Sequence, residues 1–215
     1  PEITALDINP IMVKKGRVIA VDARVYLAPS QEISPMHLVI SSYPWQYESK
    51  GKTVVGTDFF VRPIRPGDAA MLIEHFNSLS KRSIYMRFFS PLKELSKQML
   101  IRLTQIDYDR EIALVALMGE AAAEKIVGVC RIIGYSDGTQ AEFALAISDA
   151  WQGRGIGAAL LTQCLGAAKD KGMKVIMGLV LAENTQMLKL GKKMGFKMSR
   201  AEGGSEYELT IKFED

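Results

Sequence analysis

Between two apolar runs the chain reads Gln152-Gly153-Arg154-Gly155-Ile156-Gly157-Ala158. Alternating glycines leave backbone N–H groups uncovered and let a second molecule approach the main chain. A helix that follows such a turn aims its N-terminus, with its partial positive charge, at the same place. The chemistry this favours is a grip on phosphate oxygens. Gly153, Gly155 and Ala158 formally satisfy the dinucleotide pattern G-x-G-x-x-A, with Glu183 ending the next strand. That pattern needs its first glycine almost directly after the strand that opens the fold. Here Ser148-Asp149-Ala150-Trp151 intervene and several strands come first, which argues against a dinucleotide.

The elements that must position this turn alternate along the chain. A strand over residues 59–64 closes at Arg65-Pro66-Gly67-Asp68, and a helix over 68–79 carries Met71, Leu72, His75, Phe76 and Leu79 on one face. Residues 83–89 form a short helix, and Ser96 caps another with Met99, Leu100, Leu103 and Ile106 at helical spacing. Strands over 112–118, 125–134 and 141–148 are joined by short turns, Gly119-Glu120 and Ser136-Asp137-Gly138, that predict antiparallel pairing. A helix then runs to about residue 171, followed by a strand over 174–181, a helix over 185–194 and a closing hairpin over 196–213 through Gly203-Gly204.

Composition narrows the functions available. With 215 residues, 48% of them apolar, the chain is long enough for one ordinary domain and an appendage. A net charge of +3 with scattered basic residues makes nucleic acid a poor partner. No apolar stretch approaches the ~20 residues that span a bilayer, and no signal peptide is evident. The start at Pro1 is what a fragment would show. Cys130 and Cys164 lie in separate apolar runs and read as reduced core thiols of a cytoplasmic protein. His37 and His75 are isolated, so zinc chemistry and a Cys–His nucleophile are both poor readings.

Gln152-x-x-Gly155-x-Gly157, then helix and strand, then Asn184 and Gly195-Phe196, resembles the GNAT superfamily of N-acetyltransferases. The resemblance covers about residues 58–215. It implies an α/β (α+β) fold, a mixed and mostly antiparallel sheet flanked by helices, with acetyl-CoA as cosubstrate. By that resemblance the main chain of Gln152, Gly153, Arg154, Gly155, Ile156, Gly157 and Ala158 holds the CoA pyrophosphate. Ala146 and Ile147 pair with the pantetheine and receive the thioester carbonyl where the strands over 141–148 and 174–181 splay apart. Asn184 bonds the pantetheine arm or a backbone group near it. Eight basic residues between Lys169 and Arg200, against Asp170 and Glu183, suit a cofactor carrying a 3′-phosphate and a pyrophosphate.

Acyl transfer requires a neutral amine, and for a lysine of pKa about 10.4 deprotonation at pH 7 costs roughly 4–5 kcal/mol. Glu142, at the start of the strand leading to the loop, is the candidate general base, and Glu111, heading another strand, is the runner-up. Many relatives carry a tyrosine acid seven residues after the asparagine. Gly191 stands there, so no general acid is assigned.

The N-terminal stretch reads as a hairpin of residues 8–13 and 18–27 joined by Lys14-Lys15-Gly16-Arg17. Leu6-Asp7-Ile8-Asn9-Pro10 and Val18 to Arg24 resemble the end of the ATP-grasp domain of ADP-forming acyl-CoA synthetases, in which Asn9 and Asp22 match Mg²⁺ ligands, here orphaned. The division expected is therefore an ATP-grasp remnant over 1–29, a connector over 30–57 and the acetyltransferase domain over 58–215. Together with Tyr43-Pro44-Trp45-Gln46-Tyr47-Glu48 and Ser83-Ile84-Tyr85-Met86-Arg87-Phe88-Phe89, these features resemble bacterial Pat-type protein-lysine acetyltransferases fused to a synthetase-like region. That resemblance implies a protein acceptor with an exposed lysine, an acyl-CoA synthetase, and an upstream synthetase-like region. A small-amine acetyltransferase and a non-catalytic acyl-CoA sensor are the alternatives.

Overall fold

The computed structural model describes residues 2–29, 42–119, 123–201 and 203–213. His37 and part of the Gly119-Glu120 turn lie outside the described residues. The chain forms two compact units, residues 1–41 and 42–215.

In the first unit, β2 (Ile11–Lys14) and β3 (Arg17–Ala20) form a hairpin, and β1 (Ile3–Ile8) pairs antiparallel with β4 (Ala23–Leu27). The hairpin turn needs left-handed backbone at Lys15 and Gly16. Asn9 and Asp22 face each other where the two ladders meet, the Asn9 N–H donating to the Asp22 carbonyl at 3.2 Å.

The second unit is an eight-stranded sheet in the order β11-β12-β10-β9-β8-β7-β6-β5. Its strands are β5 (Ser49–Lys52), β6 (Asp58–Pro63), β7 (Glu111–Met118), β8 (Lys125–Gly134), β9 (Gln140–Ile147), β10 (Val175–Leu181), β11 (Lys197–Arg200) and β12 (Glu206–Lys212). Every neighbouring pair is antiparallel except β9 with β10. The edge strand β5 falls inside the stretch expected as a connector. Its sequence, Ser-Lys-Gly-Lys, carries no strand signal, and the pairing rests on Phe59, whose ring occupies the space a side chain on Gly51 would fill.

The unbroken apolar run of β7 follows from burial on both faces. Ile112, Leu114 and Ala116 join the core under α4 (Ile156–Asp170), while Ala113, Val115 and Leu117 join a second core under α1 (Ala69–Asn77) and α3 (Lys97–Thr104). α2 (Lys81–Phe88) begins two residues before the expected helix because Ser80 caps it, accepting from the Ser83 N–H at 3.2 Å. Ser96 caps α3 in the same way. α5 (Thr185–Lys193) lies between β10 and β11. Cys130 and Cys164 are free, buried thiols in the α4-side core.

Candidate active site

β9 and β10 are paired only at their beginnings, from Val175 with Gln140 to Met177 with Glu142. Beyond that point β10 stays with β12 and β9 stays with β8, so the two strands fork. Phe143 stands at the fork, packed against Gly178, where an added Cβ would lie 2.5 Å from the ring, and 5.0 Å from the Phe196 ring. A cleft of about 740 Å³ opens past the fork, lined by Leu145, Ala146 and Ile147 of β9, the glycine turn, α2 and one face of α5.

Register with β8 decides which main-chain groups face the cleft. Ser148 N–H bonds to the Val127 carbonyl at 2.9 Å, and Tyr135 N–H to the Gln140 carbonyl at 2.8 Å. Even-numbered β9 residues therefore exchange hydrogen bonds with β8, and odd-numbered ones turn their amides outward. Ala146, opposite Val129, commits its amide to β8. Leu145 and Ile147 face the gap, so the register puts Leu145 in the place expected for Ala146, whose side chain still lines the cleft.

The turn after β9 is held at each end. Gln152 Nε2 donates to the Ile147 carbonyl at 3.0 Å and reaches Ser83 Oγ at 3.4 Å. The Arg154 guanidinium lies 4.7 Å from the Trp151 ring centroid, and the Arg154 carbonyl accepts from Val54 N–H at 3.0 Å. Gly153 and Gly155 have φ of +71° and +91°, a region closed to most side chains. Gly155 caps α4 with no side chain, which leaves the first-turn N–H groups of Ile156, Gly157 and Ala158 without intrahelical acceptors. Gly157 packs against β9, where an added Cβ would sit in ordinary contact with Leu145 and Ile147, 3.4 and 3.5 Å away.

The opposite wall is tied to this turn by polar side chains. Asp149 accepts from Ser80 N–H at 2.8 Å and from the Ser80 and Ser83 hydroxyls at 2.9 Å each. Partial burial raises its pKa, but these hydrogen bonds outweigh it and hold the carboxyl below its usual range. Ser148 Oγ lies 3.0 Å from His75 Nδ1 and 2.8 Å from Ser78 Oγ. Burial pushes the His75 imidazole down to about 4, so it is neutral and structural. Arg82 reaches the Glu183 carbonyl at 3.5 Å, linking α2 to the approach to α5.

The remaining expected residues separate clearly. Glu142 is exposed at the last paired position before the fork, on the same face of β9 as Ala144 and Ala146. It lies upstream of the residues that line the cleft. Glu111 forms an ion pair with the buried Arg131 at 3.3 Å, away from the cleft. Asn184 caps α5, its side chain accepting from Met187 N–H at 3.1 Å while lining the cleft. Of the eight basic residues, Lys189 and Lys193 line the cleft. Gly191 is buried, and an added Cβ would collide with Leu209, so a tyrosine there has no room. Arg87, in the last turn of α2, lines the cleft although no catalytic or binding role was assigned to it from sequence. The signal that could have found it is a cation inside an otherwise apolar helical stripe, Ile84, Phe88 and Arg87.

A family model described as an acetyltransferase (GNAT) domain matches residues 58–197. Acetyltransferase PA5475 of Pseudomonas aeruginosa is 31% identical over 141 residues, which is 66% of this chain and 76% of that protein. Acetyltransferase Pat of Mycolicibacterium smegmatis is 29% identical over 141 residues, 65% of this chain and 41% of that longer protein. Among solved structures, the GNAT domain of S. lividans PAT superposes with a TM-score of 0.74 at 27% identity, covering 80% of this chain and 100% of that one.

Proposed function

The chain belongs to the GNAT acetyltransferase family, and from that premise we propose that it moves the acetyl group of acetyl-CoA onto the side-chain amine of a lysine in a folded protein, an acyl-CoA synthetase. The observation that carries this reading is the fork between β9 and β10, which leaves Leu145 and Ile147 main chain facing a cleft capped by the N-terminus of α4. A pantetheine arm lying along β9 completes its ladder, and the N–H groups of residues 153–158 meet the pyrophosphate. Lys189 and Lys193 add positive charge on the α5 side.

Glu142 accepts the proton of the incoming lysine, directly or through a water, an effect typically worth about 10²–10⁴-fold. The neutral nitrogen attacks the thioester carbonyl, whose oxygen is met by the main chain of β9. The C–S bond breaks and CoA departs as a thiolate, of pKa near 8.5 for an ordinary thiol, without an assigned acid; the second proton that the nitrogen sheds on becoming an amide passes to that thiolate or to water. The acetyl group passes directly, with no covalent enzyme intermediate.

Pat-type relatives support the acceptor class. The exposed apolar strands of residues 3–27 fit a piece of a larger synthetase-like region that precedes the acetyltransferase domain. Free buried thiols fit a cytoplasmic setting, and no described helix is long and apolar enough to cross a membrane. The test is incubation with acetyl-CoA and purified acyl-CoA synthetases, followed by intact and peptide mass spectrometry. Addition of one acetyl group to an active-site lysine is the expected result; acetylation of small amines alone would sink the protein-acceptor reading.

A further inference from the structure

The C-terminal end of α2 carries a cation with no ion-pair partner among the described residues. Arg87 is half-buried and lines the cleft beside Met86, Ala146 and Ile147. Among the described residues its guanidinium makes no hydrogen bond and no ion pair, and it rests 4.9 Å from the Phe88 ring centroid. Burial, with the like charge of Arg131, pulls its pKa down to about 10.

The neighbours relieve this charge only in part. Arg131 is committed to Glu111 and to the Leu103 carbonyl, at 3.3 and 2.5 Å. Glu142 is close enough to act on Arg87 through its charge, but it forms no ion pair with it. A guanidinium taken from water without a partner costs free energy, and buried charges are normally paired.

Placement along α2 says which part of the site the cation serves. The first turn of the helix, through Ser80 and Ser83, is bonded to Asp149 and Gln152 of the pyrophosphate turn. Arg87 stands one turn beyond Ser83, about 6 Å further along the helix, on the side where Glu142 acts on it. It therefore belongs with the acceptor, not with the phosphates. A lysine ammonium entering there alone meets the Arg87 guanidinium. An acceptor that also brings a carboxylate neutralises it through a bidentate, charge-assisted pair.

We infer that Arg87 is a specificity-determining residue of the acceptor site, binding a carboxylate that the acceptor carries close to the reacting amine, such as an Asp or Glu near the target lysine. This rests on the protein-lysine reading above. The test is a set of single-lysine peptides with Glu or Gln placed in turn at each flanking position, assayed as pairs. At the best position the wild type favours Glu in kcat/KM, through KM, by roughly tenfold or more, the scale of one charge-assisted hydrogen bond. In Arg87→Gln the Glu/Gln ratio falls to near one, and Arg87→Lys retains part of it. Because the readout is a ratio, a general loss of activity cancels. Arg87→Lys serves if the glutamine variant does not fold. No preference at any position in the wild type, or a preference that survives Arg87→Gln, overturns the inference. If no peptide is acetylated while acetyl-CoA still binds, the protein-acceptor reading fails by itself. The same ratio is then read with 4-aminobutyrate and butylamine, and equal kcat/KM for the two in the wild type overturns the role of Arg87.

Discussion

On the α4 side the cleft wall is main chain: Gly153 and Gly155 at positive φ, and the first N–H groups of α4. On the α2 side it is side chains: Arg87, Met86 and Ser83, the last tied to the turn by Asp149. On the proposed reading the first wall binds what every reaction cycle shares, the cosubstrate, and the second meets what varies, the acceptor. Main chain suits the constant task because its donors are fixed by backbone geometry, whereas side chains can be exchanged without disturbing the loop.

If the walls are separable, they fail separately. The largest effect expected is that of Glu142→Gln, which lowers kcat by about 10²–10⁴-fold while leaving the acetyl-CoA Kd, measured calorimetrically, near its wild-type value. A wild-type rate in this variant would remove Glu142 as base, and a large loss of cosubstrate affinity would show that the two walls act as one.

Gly155→Val is the reciprocal change. A β-branched residue at φ +91°, with its Cβ 3.4 Å from Val54, costs about 1–3 kcal/mol of backbone strain. Acetyl-CoA affinity is expected to drop by about tenfold or more, with a lower Tm, since each 1.4 kcal/mol is about tenfold. Unchanged affinity would mean that the turn does not hold the cosubstrate.

The smallest effect concerns the seam between the walls, where His75 meets Ser148. Folded His75 titrates at about 4, against about 6.5 in an unfolded chain. Between these values only the unfolded chain takes up the proton, so the stability is fully present above pH 6.5 and is lost as pH falls toward 4. From pH 7 to pH 5 the wild type should lose about 1–2 kcal/mol more than His75→Gln in urea unfolding. Equal losses would show that His75 is not buried neutral.

The α4-side wall was legible because its signals are local. Three glycines at spacing two, a polar turn and an apolar helical stripe lie within twenty residues, and each reflects a backbone or burial requirement of its own neighbourhood. The helices α1 and α3 and the doubly buried β7 were legible for the same reason. β5 was not, since Ser49–Lys52 is a strand through its pairing with β6 rather than through propensity. That the Leu145 amide and not the Ala146 amide faces the gap was not legible, because the strand pattern shows where β9 runs but not which amides β8 leaves free. Gly191 was visible as a missing tyrosine, while its cause, the Leu209 side chain pressed against it, belongs to another strand.

By itself the sequence determined the glycine turn, the helix caps and the order of strands and helices, because φ preference, capping and periodicity act over a few neighbouring residues. Only the tertiary structure decided where β9 and β10 part, which peptide groups face the gap, that Glu111 belongs to Arg131, and that Arg87 stands in the cleft with no ion-pair partner among the described residues. Those depend on register and charge pairing between segments far apart in the chain, where burial and Coulomb forces act through space.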